Sequence, residues 1–398
     1  MQSGGPSVGH GRWMDRGYDA SPVATAISER VIRIERTAAP RHLPQLDSLR
    51  ALAVLGVMVH HFWPETEARL GLTTGFLGVQ LFFVLSGFLI TGILLRARDL
   101  VQTNRQSAAT GIRQFYIRRL LRIFPMFYAT LAIAWIVGLP EVRDSVLWHL
   151  AYATNIYFVR IQDFHGSVSH LWSLAVEEQF YLVWPFAIVV TPRRQLLPVL
   201  IAVTVLAPAF RLVGSLADLH WMVTFVLPFA NCDALALGAI LAYASAGHTA
   251  SRPFRSRFIG AAFWIGLPLV LVLWFLEWHH LSWSASRWFR RGFENTVWAL
   301  FFVWLIDRAA RGFGGPVGRI LQLRPLTYLG QISYGLYVIH PFVARVVPWV
   351  YTRMGVAYPS TRLLEFSVLS AATILMAAGS WHFYERPLND LKRYFPYA

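Results

Sequence analysis

Ten apolar runs follow one another along the chain at short intervals, the pattern expected where each crosses about 30 Å of hydrocarbon as a helix of about 20 residues. They cover roughly 46–63, 75–95, 123–139, 175–191, 196–213, 221–245, 258–278, 293–306, 326–349 and 363–384. A chain so divided is expected to be all-α, a polytopic integral membrane protein of about ten transmembrane helices. Composition agrees: 56% of the 398 residues are hydrophobic and 14% charged, where soluble domains hold about 25% charged. The excess of 36 basic over 21 acidic residues, a net charge of +15, would by itself suggest nucleic acid. A soluble nucleic-acid binder, however, does not combine so few charges with 28 Phe and 16 Trp. The single cysteine, Cys232, forms no intrachain disulfide and builds no thiolate metal cluster.

The basic residues orient the spans, because short loops rich in Arg or Lys stay cytoplasmic. With the N-terminus inside, 25 of the 36 basic residues fall in inner segments, 8 in outer loops and 3, Arg50, Arg211 and Arg345, within spans. Both termini are then cytoplasmic, in an inner (plasma) membrane. Arg287, Arg290 and Arg291 crowd one outer loop and are the exception to the rule. Residues 1–42, polar and without a signal-peptide apolar core, read as a disordered cytoplasmic arm. A transmembrane domain over 43–390 and a short cytoplasmic tail over 391–398 follow. The loops are too short for a separate soluble domain, and no internal repeat is visible.

Three ionisable residues share one stripe of the first span. At about 100° per residue, Arg50 and His61 point within about 20° of each other and Asp47 lies about 40° to the other side, whereas His60 points away. Charges at bilayer depth are costly unless paired or wetted, so the stripe is expected to face the bundle interior or a cavity. The plainer account is an interfacial Asp47–Arg50 ion pair with His61 at the far interface. Eleven residues separate Arg50 from His61 by about 16 Å along the axis. They cannot grip one small group together, but they could hold two ends of one long ligand.

Six motifs then recur in order. The first span opens Leu46-Asp47-Ser48-Leu49-Arg50-Ala51-Leu52-Ala53. The second holds Gly78-Val79-Gln80-Leu81-Phe82-Phe83-Val84-Leu85-Ser86-Gly87-Phe88-Leu89-Ile90, and Phe115-Tyr116-Ile117-Arg118-Arg119-Leu120-Leu121-Arg122-Ile123-Phe124-Pro125 precedes the third. His170-Leu171-Trp172-Ser173-Leu174-Ala175-Val176-Glu177-Glu178, Ile332-Ser333-Tyr334-Gly335-Leu336-Tyr337-Val338-Ile339-His340-Pro341 and Tyr384-Glu385-Arg386-Pro387 complete the series. In this order they resemble the acyltransferase-3 family of polytopic membrane O-acyltransferases, over about residues 45–390.

The resemblance implies transfer of an acyl group, usually acetyl from acetyl-CoA, to a hydroxyl of an extracytoplasmic or cell-surface carbohydrate, a lipid-linked glycan or a secondary metabolite. Acyl-CoA is then the donor substrate, with no bound cofactor and no metal. It carries the essential histidine onto His61 and its paired arginine onto Arg50. His61 would act as general base toward a hydroxyl or as acyl carrier, two roles the sequence does not separate. Arg118, Arg119 and Arg122, in a segment with seven arginines and one acid, suit the donor's phosphates, though they also serve topology and anionic headgroups. Glu177 and Glu178 either cap the fourth span or pair with His170 and serve the substrate side, where Trp172 and Tyr181 could stack on sugar rings. His340 and Asp233 are expected to line a cavity, and Ser86-Gly87 to allow close helix packing. Asp47 supports Arg50.

Two other readings compete. A ten-span transporter would explain intramembrane Asp, Arg and His, but predicts related halves and paired Gly- or Pro-broken helices, which the sequence does not display. Acylation of a small metabolite or a lipid is the alternative among enzymes. The His-x4-Asp signature of soluble acyltransferases is absent, the nearest approach being His60 and Glu65.

Overall fold

The structure, a computed structural model, describes residues 43–246, 252–279 and 284–396 together with Met1, with backbone alone at 284–287. The chain divides into two units, Met1–Leu43 and Pro44–Ala398, and the architecture below is that of the second. Apart from Met1, the expected arm over 1–42 lies outside the described residues.

Among the described residues there is no strand, and ten helices reach 14 residues or more. They are α1 (Pro44–Phe62), α2 (Thr74–Gln102), α3 (Ala108–Val137), α4 (Leu171–Val190), α5 (Arg193–Leu216), α6 (Cys232–Ser245), α7 (Arg252–Trp278), α8 (Ser284–Arg311), α9 (Ser333–Met354) and α10 (Arg362–Ser380). Each overlaps one predicted span, yet only six helical segments are both long and apolar enough to cross a membrane: those containing α2, α3, α4, α5, α7 and α10. Length excludes α6 at 14 residues. Polarity explains the other three: Asp47, Arg50 and two histidines in α1, Arg290, Arg291 and Glu294 in α8, and His340 and Arg345 in α9 lower their mean hydropathy.

Three predicted boundaries are corrected. The basic stretch 96–122, expected as a loop, is helical except at 103–107, because α2 runs on to Gln102 and α3 starts at Ala108, behind a Ser107 cap whose hydroxyl accepts from the Thr110 N–H at 3.1 Å. The sixth run, 221–245, is broken: a turn of helix over Val223–Val226 and a 3-10 turn over Pro228–Ala230 precede α6. Pro228 cannot donate, and the Asn231 amide repairs the break by donating to Phe225 O at 2.7 Å and Leu227 O at 3.1 Å. The ninth run divides at Ile332 into a helix over Arg324–Gln331 and α9.

Two close backbone approaches set the centre of the bundle. On α2, a Cβ at Gly87 would meet Leu235 O of α6 at 1.9 Å, and one at Gly238 on α6 would meet Val84 O at 2.1 Å, so both residues must be glycine for the helices to touch. Gly330 lets the Arg324–Gln331 helix approach the Asp47 carbonyl of α1 in the same way, where a Cβ would lie at 1.8 Å. Outward surfaces are apolar: Leu182, Val183, Phe186 and Val190 of α4 are exposed while Trp184 and Ile188 point inward. This is the polarity of a helix between lipid and a bundle interior.

Candidate active site

Four histidines gather around one junction. His60 and His61 close α1, His340 lies about two turns into α9, and His170 immediately precedes α4. Ring centroids are 4.8 Å apart for His61 and His340 and 5.2 Å for His170 and His340. Pro341 has no N–H, so the Tyr337 carbonyl loses its helical partner. His340 Nδ1 takes that place, 2.8 Å from Tyr337 O and 3.2 Å from Leu336 O. Carbonyl oxygens only accept, so Nδ1 carries the proton and Nε2 of the neutral ring is an acceptor. His61 Nδ1 lies 3.3 Å from that Nε2 and 3.0 Å from Val57 O. The His61 proton is thereby drawn to Nδ1, leaving the lone pair on Nε2.

His61 lines a cavity of about 690 Å³, shared with His60, His170, Trp172, Arg211, Trp221, Arg290, Arg291 and Glu294. One wall is aromatic, with Phe225 5.0 Å from Trp172 and 5.7 Å from Trp221, and Phe164 5.8 Å from Trp221, between ring centroids. Another is charged: Arg290 pairs with Glu277 and, at 3.3 Å, with Glu294. Arg211 is buried and bound at 2.8 Å to Asp233, which also accepts from Thr296 Oγ1 at 2.6 Å. Near the rim, Glu67 accepts from Thr74 Oγ1 at 2.8 Å and the Gly75 N–H at 3.0 Å, and its second oxygen lies 3.0 Å from His60 Nδ1. Burial alone would raise the Glu67 carboxyl; the hydrogen bonds from His60, Gly75 and Thr74 outweigh it and hold the group below its ordinary value.

A second cavity, of about 300 Å³, holds Arg50, Ser86, Arg119, Arg122, Glu177, Glu178, Tyr181 and Tyr334. Arg50 donates to Asp47 at 2.7 Å. Ser86 Oγ donates to Glu177 Oε1 at 2.7 Å, and Tyr181 OH donates to Ser86 Oγ at 3.0 Å. The Arg119 guanidinium lies 5.1 Å from the centre of the Tyr181 ring. Val79 and Tyr337 line both cavities, so the two spaces are neighbours on either side of these residues. Tyr337 is held by its hydroxyl, 2.5 Å from Ser173 Oγ and donating to His170 O at 3.1 Å.

The predicted residues therefore divide between two chambers. Arg50, Arg119, Arg122, Glu177 and Glu178 surround the smaller one, and His61 opens on the larger with His340 behind it. Arg118 turns away, donating to Lys392 O at 2.9 Å and Phe395 O at 3.1 Å, because at i−1 from Arg119 it leaves α3 about 100° round the helix. Glu177 faces Ser86: it neither caps α4, which begins at Leu171, nor pairs with His170, whose Nε2 lies 3.1 Å from Val338 O. Asp233, fully buried against Arg211, and His340, fully buried behind His61, line neither cavity, contrary to expectation, and it is Arg211 that reaches the larger one. Sequence reasoning assigned Ser86 to helix packing, set His60 aside as pointing away and named no role for Tyr337. Ser86 and Tyr337 stand inside quoted motifs, which was the available signal, whereas the lining role of His60 follows only from Glu67. Arg290 and Arg291, the exceptions to the charge rule, line the larger cavity; the side chain of Arg287 is outside the described residues.

Comparison with known proteins gives a consistent assignment. The chain is 27% identical over 379 residues to "O-acetyltransferase OatA" of Staphylococcus aureus (strain NCTC 8325 / PS 47), covering 90% of this chain and 59% of that protein. It is 29% identical over 388 residues to "Putative peptidoglycan O-acetyltransferase YrhL" of Bacillus subtilis (strain 168), covering 89% and 56%. It is 27% identical over 391 residues to "Peptidoglycan O-acetyltransferase OatA" of Listeria monocytogenes, covering 89% and 57%. The chain thus spans rather more than half the length of these relatives. No solved structure matches. The sequence profile described as "Acyltransferase domain" matches residues 43–385, and on that extent the chain belongs to the acyltransferase-3 family.

Proposed function

We propose that the chain is an integral membrane O-acetyltransferase that moves an acetyl group from acetyl-CoA to a hydroxyl of a cell-wall carbohydrate. The observation that carries this reading is that the two cavities are neighbours sharing Val79 and Tyr337 as lining. A cationic chamber beside a histidine chamber matches a long donor with phosphates at one end and a thioester at the other. Arg50, Arg119 and Arg122 hold the anionic end, Arg guanidiniums being suited to bidentate phosphate contacts. In this reading the arm passes beside Val79 and Tyr337 from one chamber to the other, and the thioester reaches His61. The acetyl group and the cell-wall acceptor are supported by the names of the relatives. All ten long helices cross the inner membrane in this reading, the sixth as a broken span. The inner-segment excess of basic residues supports cytoplasmic termini and a cytoplasmic donor side.

The acceptor hydroxyl gives its proton to His61 Nε2 as its oxygen bonds to the thioester carbonyl carbon. The C–S bond breaks, the thiolate of coenzyme A leaves, and the proton on His61 passes to that sulfur. The products are an O-acetyl ester and the free thiol. His340 holds the imidazole in the tautomer the step requires. The test is turnover of labelled acetyl-CoA in inner-membrane vesicles, comparing wild type with His61→Ala at equal expression. Loss of transfer by about 10²-fold or more is expected; undiminished transfer by the variant sinks the mechanism.

A further inference from the structure

We propose that a third cavity, set in the lipid-facing surface between α3, α9 and α10, is a binding site for one hydrocarbon tail of a bilayer phospholipid. It lies apart from both chambers described above, and the inference does not depend on the acyl-transfer reading.

The cavity has a volume of about 440 Å³. Its long side is α3, whose lining residues run from Met126 to Val137, about 16 Å along the helix axis. That is about the depth of one leaflet's hydrocarbon, half of about 30 Å. No lining residue is charged, and only Thr130, Ser380 and Tyr384 carry a hydroxyl. Each hydroxyl proton is already committed. Thr130 Oγ1 donates to Met126 O at 2.9 Å, Ser380 Oγ to Glu385 Oε1 at 3.0 Å and Tyr384 OH to Pro125 O at 3.3 Å. A polar ligand would leave its hydrogen bonds to water and find no free side-chain donor in these walls, so the occupant they suit is apolar.

The medium outside the cavity supplies such an occupant. α3 and α10 belong to segments long and apolar enough to cross a membrane. The lips are exposed apolar side chains, Ile133 and Val137 of α3, Val346 of α9 and Met376 of α10. Ile136, Trp349 and Leu375 beside them are exposed too, so the cavity is continuous with the apolar outer surface of the bundle. Left empty, it would forfeit dispersion contacts along its whole lining, and its walls are too apolar to hold water. Size selects a single tail. A partner helix is about 10 Å across and needs a far larger trough, whereas 440 Å³ lies in the range of small-ligand sites.

The back wall gives the occupant a consequence. Ile339, Phe342 and Val343 are buried, line the cavity and flank His340 and Pro341 on the turn of α9 that sets the His61 tautomer. A tail packed against that turn supports it as a core side chain would.

The test uses the full chain in detergent, without acyl donor or acceptor, and counts retained molecules by native mass spectrometry. The probes are dipalmitoyl phosphatidylglycerol, its single-tailed lyso form and dihexanoyl phosphatidylglycerol. Wild type is expected to retain one molecule of either palmitoyl lipid and to bind the dihexanoyl form about tenfold more weakly, because a short tail leaves much of the lining without contacts. Ala129→Phe puts a ring into the cavity and should weaken palmitoyl binding about tenfold. Ala132→Phe, at an exposed position of α3 outside the cavity, should leave it unchanged. Met376→Trp fills the cavity from α10 and should act as Ala129→Phe does, so a folding defect in one variant does not decide the matter. No lipid retained by wild type, retention that ignores tail length, equal effects of Ala129→Phe and Ala132→Phe, or displacement of the lipid by a second copy of the chain overturns the proposal. These readouts concern binding alone and stand apart from the His61→Ala turnover test, which judges acyl transfer itself.

Discussion

At the scale of single residues, a proline fixes the state of a histidine on another helix. Pro341 strips one carbonyl of its partner, His340 Nδ1 takes it at 2.8 Å, and the tautomer passes to His61 through a contact of 3.3 Å. The residues are 279 positions apart, so the relay could not be seen in the sequence, although both histidines could be named from it. The arginine trio is the converse case. Its i, i+1, i+4 spacing shows that Arg118 and Arg119 diverge, but not which of them faces the cavity. The structure gives Arg119 to the cavity and Arg118 to the backbone at the C-terminal end of the chain. Arg119→Ala is accordingly expected to raise the KM for acetyl-CoA about tenfold and to flatten its salt dependence. Arg118→Ala should leave that KM near wild type and free the C-terminal segment to proteolysis. Equal effects of both substitutions on donor KM in vesicle assays would count against this division.

At the scale of elements, period and length were legible and continuity was not. The apolar runs located all ten long helices among the described residues, six of them in segments long and apolar enough to cross a membrane. Pro228 was visible, but whether the chain would kink or stop there depended on Asn231 finding Phe225 O and Leu227 O. The link between α1 and α2 is likewise tertiary: Glu67 ties His60 to the first turn of α2. Because its folded carboxyl is held below the ordinary value of 4.5, the linkage is fully present above that value and is lost as pH falls through the folded one. Unfolding in detergent, followed against pH, should therefore find Glu67→Gln less stable than wild type near neutrality, with the two curves converging in acid. A constant gap down to low pH would remove the ionised carboxyl from the account.

At the scale of the whole molecule, the distribution of basic residues gives an orientation that the proposed donor path requires. Single cysteines introduced into a Cys232→Ala background should react with an impermeant reagent from outside at 62–73 and be protected at 103–107, the short turn between α2 and α3. The reverse pattern would put the cationic chamber on the wrong side for a cytoplasmic donor. The sequence by itself determined the membrane class, the helical periodicity, the stripe of Asp47, Arg50 and His61 and the family, because these are properties of one helix or of residues in order. Only the tertiary structure decided that Arg50 and His61 open on two neighbouring chambers that share Val79 and Tyr337 as lining, and that Glu177 meets Ser86. Those facts depend on which helix faces which, and that was set by backbone contacts such as Gly87 on Leu235 and Gly238 on Val84, between segments about 150 residues apart, a separation that no local pattern encodes.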